Sequence, residues 1–471
     1  MPKLSTLLVL AIVVPGVAFA EDSQRPNFVF FLVDDLGWGA MGAYGNEFHE
    51  TPHFDELCER GMRFTHAYSA CTVCSPSRAA ILTGQYPGRT NLTDWIPGHG
   101  RANAKLNIPD WHRQMDHRHT TLAEALQQDG YRTAFVGKWH LVPIEKQGPG
   151  AVSSEDQKRH YPEHHGFDVN IGGREWGQPK GRGKYFYPFD MPGLNEGESG
   201  EYLTDRLTDE AIAYLDQQSD KPFLLYMSYY TVHGPVMGKK PDVEYFQGKR
   251  RENPSTASKE KNAAAYAAMH RSLDLSVGRV LAKIEAMGEK ENTVVIFTGD
   301  NGGDYNSACG GLRGFKGHAF EGGTREPTCV VWPGVTEPGA VSTTPIIGMD
   351  FYPTMLEIAN LQSRPEQHVD GKSLVPLLEQ SGALDRETLY WHYPHYHRTL
   401  PYGAIRHHNW KLIEYFEDGK LMLFNLETDP SESQDVASTD PDKAKELLSM
   451  LEAWREQVGA QMPTPNPDYS N

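Results

Sequence analysis

The chain has 471 residues, 39% of them hydrophobic, and a formal net charge of −17. Such a length buries a large core and predicts two or three domains. The negative balance argues against general affinity for nucleic acid or anionic membrane, so an anionic substrate would have to find its positive charge locally. It favours a pocket for a short or terminal unit over a long groove.

Lys3 precedes an apolar run from Leu7 to Val14, and Ala18-Phe19-Ala20 places small residues at the two positions a signal peptidase reads. Residues 1–20 are therefore predicted to be a signal peptide cleaved after Ala20, giving a secreted or periplasmic product. No later segment offers about 18 uninterrupted apolar residues, so no membrane association is expected after cleavage. Of the five cysteines, Cys58, Cys71, Cys74, Cys309 and Cys329, only Cys71 and Cys74 form a C-x-x-C pair. No second pair completes a zinc set. With Cys74 set aside, the other four thiols can pair in three ways, and spacing does not choose among them. Asn91-Leu92-Thr93 is a glycosylation sequon.

Asn27 to Val33 is an unbroken apolar, aromatic and β-branched run, which predicts a strand buried on both faces; it ends at Asp34-Asp35. Pro52 to Gly61 predicts a helix and Phe64 to Ala70 a strand. Next comes Cys71-Thr72-Val73-Cys74-Ser75-Pro76-Ser77-Arg78, followed by a small and aliphatic run to Gly84. Pro76 suits a first helical turn. Cys74 would then lie at the positive end of the helix dipole with Arg78 one turn along, a setting that suits an anion.

Thr121 and Glu124 form a capping box that opens a helix closed by Gly130. The strand Arg132 to Val136 leads into Lys138-Trp139-His140, where alternation lets Lys138 and His140 face one site. Gln147 to Gly200, rich in Gly, Pro, His and aromatics, is predicted to form long loops. Leu203, Leu207, Ala211 and Leu215 make a helical stripe, Pro222 to Tyr229 a strand followed by His233, and Asn262 to Met287 a long helix. Thr293 to Thr298 is a strand ending at Asp300-Asn301. A glycine-rich loop carrying Lys316 precedes the strand Thr328 to Trp332.

Alternating strands and helices predict an α/β fold with a large, mostly parallel (mixed) sheet flanked by helices. From Glu387 short runs at Leu389 to Tyr393, Gly403 to Ile405, Lys411 to Tyr415 and Lys420 to Asn425 predict a smaller antiparallel sheet, covered by a helix from Pro441 to Val458. The expected organisation is residues 21–380 as the catalytic domain and 381–471 as a C-terminal α+β subdomain.

Acids and amides at strand ends gather where open α/β sheets bind ligands. Asp34, Asp35, Asp300 and Asn301 offer oxygen ligands suited to a hard cation such as Ca²⁺ or Mg²⁺. Arg78, Lys138 and Lys316 add positive charge, and His140 and His233 are proton-transfer candidates. The set fits transfer of a charged tetrahedral group, and sulfate and phosphate esters both qualify.

The run from Cys74 to Gly84 resembles the signature of the formylglycine-dependent sulfatases, of the alkaline phosphatase superfamily, and it matches without a gap. Asn27 to Gly37, Thr51 to Gly84, Gly137 to His140, Thr298 to Gly302, Lys316 to Pro327 and Asp370 to Leu374 resemble further blocks of that family, in order. Two departures stand out, Gly299 where many relatives carry serine and Glu326 where an aliphatic residue is common. The resemblance implies conversion of Cys74 to formylglycine by a formylglycine-generating enzyme. It also implies one calcium ion bound by Asp34, Asp35, Asp300, Asn301 and the oxidised Cys74. Arg78 would hold the nucleophile, Lys138, His233 and Lys316 the sulfate oxygens and leaving group, and His140 the hydrated aldehyde. His233 is the expected proton donor to the departing alcohol.

The expected substrate is a sulfated saccharide. His112, Arg113, His392, His395 and His397 are the candidates to contact it, because aromatics and polar tips suit sugar faces and hydroxyls. Two rival readings remain at this point. One is a phosphodiesterase or phosphonate monoester hydrolase of the same superfamily, and the other a noncatalytic binder of sulfated glycans in which Cys74 stays a thiol.

Overall fold

The computed structural model describes residues 25–98, 100–144, 153–217, 219–253, 255 and 260–470. The predicted signal peptide lies outside the described residues. The strands in chain order are β1 (Asn27–Val33), β2 (Met62–Tyr68), β3 (Leu106–Asn107), β4 (Arg132–Gly137), β5 (Val169–Ile171), β6 (Phe223–Ser228), β7 (Thr293–Gly299), β8 (Arg325–Val331), β9 (Ala340–Ser342), β10 (Ile346–Ile347), β11 (Thr388–Tyr393), β12 (Tyr402–His407), β13 (Trp410–Tyr415), β14 (Leu421–Asn425) and β15 (Thr464–Pro465).

Nine of them form one sheet in the order β10-β2-β8-β7-β1-β6-β4-β5, with β9 alongside β2. All its pairings are parallel except those of β8, which runs antiparallel to both β2 and β7. The central strand shows why its sequence is uninterrupted in apolar residues. Val29, Phe31 and Val33 pack into a layer with the helices Leu203–Leu215 and Ala263–Ala286. Phe28, Phe30 and Leu32 pack on the opposite face against Cys74–Thr83, Leu122–Gln128 and Phe351–Ile358. Successive side chains point to opposite faces, so a strand covered on both sides is apolar throughout. Each such side chain contributes about 1.5–3 kcal/mol on burial.

Most element boundaries lie within one or two residues of expectation. The strand predicted at Phe64 to Ala70 begins instead at Met62, where β8 and β9 start to pair with it, and ends before Ser69, whose amide donates to Thr324. The region from 147 to 200 is not all loop. Residues 145–152 lie outside the described residues, but beyond them are the short helix Ser154–Lys158 and β5, which closes one edge of the sheet. A three-residue edge strand is too short to show a period.

The second sheet, β11-β12-β13-β14, is antiparallel throughout. The helix Pro441–Val458 covers it, opened by the Asp440 side chain accepting from the Lys443 amide and closed by Gly459 at φ 68°. The two sheets share packed side chains: Tyr68, Val73 and Ala80 lie in the same apolar cluster as Trp391, Tyr402 and Leu447. Buried beside that cluster, the Lys411 ammonium bridges Glu321 at 2.8 Å and Glu432 at 3.2 Å. All five cysteines are unpaired thiols.

Candidate active site

The sheet order explains the gathering of residues far apart in sequence. β4, β6, β1 and β7 are parallel neighbours, so their C-terminal ends share one edge, and the start of antiparallel β8 lies at the same edge. Lys138 and His140 follow β4, His233 follows β6, Asp34 and Asp35 follow β1, and Asp300 and Asn301 follow β7. The loop before β8 brings Lys316, and the turn after β2 brings Cys74.

Cys74 is the first residue of the helix Cys74–Thr83 and is 2% exposed. Burial pushes its thiol up to about 12, against the pull of Lys138 and Lys316. The Lys316 ammonium lies 3.4 Å from its sulfur. Ser75 ties the site together by donating its hydroxyl to the His140 carbonyl at 2.9 Å while accepting from the Ile96 amide at 3.0 Å.

Beneath Cys74 three carboxylates interleave with three cations. Lys138 Nζ donates to Asp34 Oδ2 at 2.7 Å and Lys316 Nζ pairs with Asp35 Oδ1 at 2.7 Å. Arg78 donates through Nε to Asp300 Oδ2 at 2.8 Å and through Nη1 to the Lys138 carbonyl at 2.8 Å and Ser228 Oγ at 2.6 Å. Asp300 Oδ1 accepts from the Asp35 amide at 3.1 Å, and Asn301 Nδ2 donates to Asp35 Oδ1 at 2.7 Å. Although burial raises it, Lys316, His233 and Lys138 hold the Asp35 carboxyl below the usual range. Burial pushes Asp300 up to about 6 despite Arg78.

This donor set fits a hard dication. Asp34 Oδ1 and Asn301 Oδ1 are buried and accept no hydrogen bond, and one carboxylate oxygen each of Asp34 and Asp300 lies within 4.8 Å of the other and of Cys74 Sγ. Unsatisfied buried acceptors are costly, and a cation shared by carboxylate and amide oxygens satisfies them together.

Above the ion cluster is a cavity of about 330 Å³ lined by Cys74, His140, His233 and Lys316, with Trp95, Gln178, Lys180, His397 and Arg398 among its outer walls. His140, at φ 59°, has its Nε2 2.6 Å from the Ile96 carbonyl, and burial beside Lys138 pushes it well below the usual range. His233 has Nδ1 on the Gly234 carbonyl at 2.8 Å and Nε2 3.6 Å from Asp35 Oδ2; burial and Lys316 pull it to about 4. Thus Cys74, His140, His233 and Lys316 face the cavity, while Arg78 and Lys138 sit among the carboxylates below it.

Of the residues expected to contact a sugar, His397 alone lines this cavity. His392 is 4% exposed with Nε2 on the Gln461 carbonyl, and His395 is fully enclosed with Nε2 2.8 Å from Thr93 Oγ1. His112 turns its Nδ1 to the Thr90 carbonyl, and Arg113 stacks over Trp111. His395 instead braces the Thr93-Asp94 turn from behind, and the chain after β11 reaches the cavity wall at His397 and Arg398. Trp95, Gln178, Lys180 and Arg398 went unnamed in the sequence because they lie in aperiodic loops.

Comparison with known proteins agrees with this geometry. Residues 26–361 match the family model described as Sulfatase, and residues 315–459 match N-sulphoglucosamine sulphohydrolase, C-terminal. The chain belongs to the sulfatase family, within the alkaline phosphatase superfamily, and is a sulfuric ester hydrolase. It is 30% identical to a sulfatase of Formosa agariphila over 95% of this chain and 92% of that one. It is 32% identical to human N-acetylgalactosamine-6-sulfatase, covering 80% of this chain and 70% of the relative. Among solved structures, Ps i-CgsB superposes with a TM-score of 0.75 at 26% identity, covering 92% of this chain and 93% of that one; it has also been solved in complex with k-i-k-neocarrahexaose.

Proposed function

We propose that this enzyme is an exported sulfatase that removes sulfate from a sulfated saccharide, using formylglycine at residue 74 and one calcium ion. The observation that carries the reading is the placement of Cys74 at the floor of a cavity, in contact with Lys316 and above carboxylate and amide oxygens that accept no hydrogen bond. The name of the human relative, N-acetylgalactosamine-6-sulfatase, supports a saccharide. The leader at residues 1–20 supports export, and residues 21–380 would form the catalytic domain with 381–471 as its subdomain.

Asp34, Asp35, Asp300, Asn301 and the oxidised residue 74 would hold calcium, whose charge would stabilise a nucleophilic oxygen and the sulfonyl oxygens. Formylglycine would supply a hydrated aldehyde as the oxygen nucleophile, able to shed sulfate without a second ester hydrolysis. The chain's own residues do the rest. Arg78 fixes Asp300 and Asp34 in place. Lys316, pointed at residue 74, would hold a sulfate oxygen, and His140 a hydroxyl of the modified residue. His233 donates through Nδ1 to the Gly234 carbonyl and turns Nε2 to the site; it would take up a proton on Nε2 beside the bound anion and pass it to the departing oxygen. Preset donors of this kind supply much of the rate enhancement in such reactions.

The test is peptide mass spectrometry across Cys74, on protein from its native source or coexpressed with a formylglycine-generating enzyme. An aldehyde at residue 74, with sulfate released from a panel of sulfated monosaccharides, is the expected result. Intact cysteine under those conditions would overturn the mechanism, and faster turnover of aryl phosphate than aryl sulfate would overturn the substrate class.

A further inference from the structure

Outside the cavity, three imidazoles converge from two loops. His117 lies in the turn Asp116–His119, and His160 and His165 flank the single turn Pro162–His164. One ring nitrogen from each lies within 4.8 Å of the others. The ring centroids of His117 and His165 are 4.4 Å apart, and those of His117 and His160 are 5.0 Å apart.

Two observations point from this cluster to a ligand. First, His165 is fully buried and neither of its ring nitrogens has a hydrogen-bond partner. A neutral imidazole carries one donor and one acceptor, and stranding such groups in a buried position is costly. Second, His160 Nδ1 lies 3.1 Å from the Met115 carbonyl. That contact places the ring proton on Nδ1 and leaves the Nε2 lone pair free, the arrangement in which a backbone carbonyl orients a metal-binding histidine. Burial lowers the basicity of both His160 and His165, so both offer lone pairs at neutral pH. His117 is exposed and gives an ion its way in.

We propose that His117, His160 and His165 form a site for a divalent first-row transition ion such as Zn²⁺, held by three neutral imidazoles with water completing the shell. Nitrogen donors suit such an ion rather than calcium. Tetrahedral zinc at about 2.0–2.1 Å from each nitrogen needs donors about 3.3 Å apart, so the His160 and His165 rings, with centroids 6.3 Å apart, must close on the ion together with the solvent-facing His117 ring. The ion would brace the catalytic edge from behind. The Trp139 indole donates to the His160 carbonyl at 2.8 Å and lies 5.6 Å from the His165 ring, and Trp139 separates Lys138 from His140.

The experiment is a calorimetric titration of ZnCl2 into the full chain carrying Cys74→Ala, which removes the one thiol at the oxygen-ligand centre. One equivalent should bind with a Kd in the micromolar range or below, unaffected by millimolar Ca²⁺. His117→Ala, at an exposed position that the fold tolerates, should weaken it at least tenfold, and His160→Gln should do the same. Zn²⁺ should raise the Tm of the parent chain and leave that of His117→Ala unchanged. Absence of saturable uptake, or uptake of equal affinity in His117→Ala, would overturn the site and leave the three rings as packing alone.

Discussion

The carboxyl group of Glu326 occupies the space that a side chain at residue 299 would need. A Cβ built on Gly299 would lie 1.9 Å from Glu326 Oε2. Both oxygens of Glu326 are buried without partners, and burial beside Asp300 and Asp35 pushes the group well above the usual carboxylate range. The two departures from the family pattern are therefore one event in space. Gly299→Ser should destabilise the fold by about 1–3 kcal/mol through overpacking, and the added Glu326→Ala should recover most of it. Denaturation of the two single variants and the double variant measures the coupling; additive losses would separate the two positions.

Lys411 offers a second test, remote from the cavity. Its ammonium is fully enclosed between Glu321 and Glu432. Lys411→Met leaves two buried carboxylates facing each other, so a loss of about 3–5 kcal/mol is expected. Replacing Lys411 and Glu432 together by apolar residues, with Glu321 kept for its buried ion pair with Arg325, should restore much of that stability. Urea denaturation midpoints of the single and double variants decide the matter.

Asp94 predicts a pH dependence. Burial pushes its carboxyl up to about 7, against hydrogen bonds from the Tyr393 hydroxyl and the Trp95 amide. A group raised in the fold contributes its full stability below its unfolded value near 3.9 and loses it as the pH climbs through 7. Asp94→Asn should therefore gain on the parent chain between about pH 4 and pH 8, by about 2 kcal/mol or more at the upper end. Paired Tm measurements across that range check it, and a constant difference would mean that Asp94 titrates normally.

Metal removal is the fourth. Because Asp34 Oδ1 and Asn301 Oδ1 accept no hydrogen bond within the protein, a chelator should lower the Tm and calcium at about 100 times its Kd should restore about 2.7 kcal/mol. Asn301→Ala should blunt that response. Equal Tm values with and without calcium in the parent chain would remove the ion from the site.

Much of the catalytic edge was legible because it depends on patterns the chain must display. β1 is apolar at every position since both faces are covered, and a pair of aspartates after such a strand has few structural uses. The turn after β2 announced itself through Pro76 and the small residues of its helix. His392, within β11, and His395, just beyond it, misled because residue type alone does not tell inward from outward; their rings are spent on the Gln461 carbonyl and the Thr93 hydroxyl. The walls at Gln178, Lys180 and Arg398 were invisible for the same reason, being set by long-range contacts such as the ion pair of Arg398 with Asp304.

The last described residues have a part in the cavity that their distance along the chain conceals. β15 pairs with β3, the Asn466 amide donates to the Lys105 carbonyl, and the Ser470 amide reaches Asn103. The amide of Leu106 in turn donates to the Tyr396 hydroxyl, next to His397 and Arg398. The tail thus reins in the rim loops rather than the core. Clipping it after Val458 and its cap, or hanging a bulky fusion there, should be felt as poorer substrate capture, a higher KM, while the melting of the main sheet stays where it was.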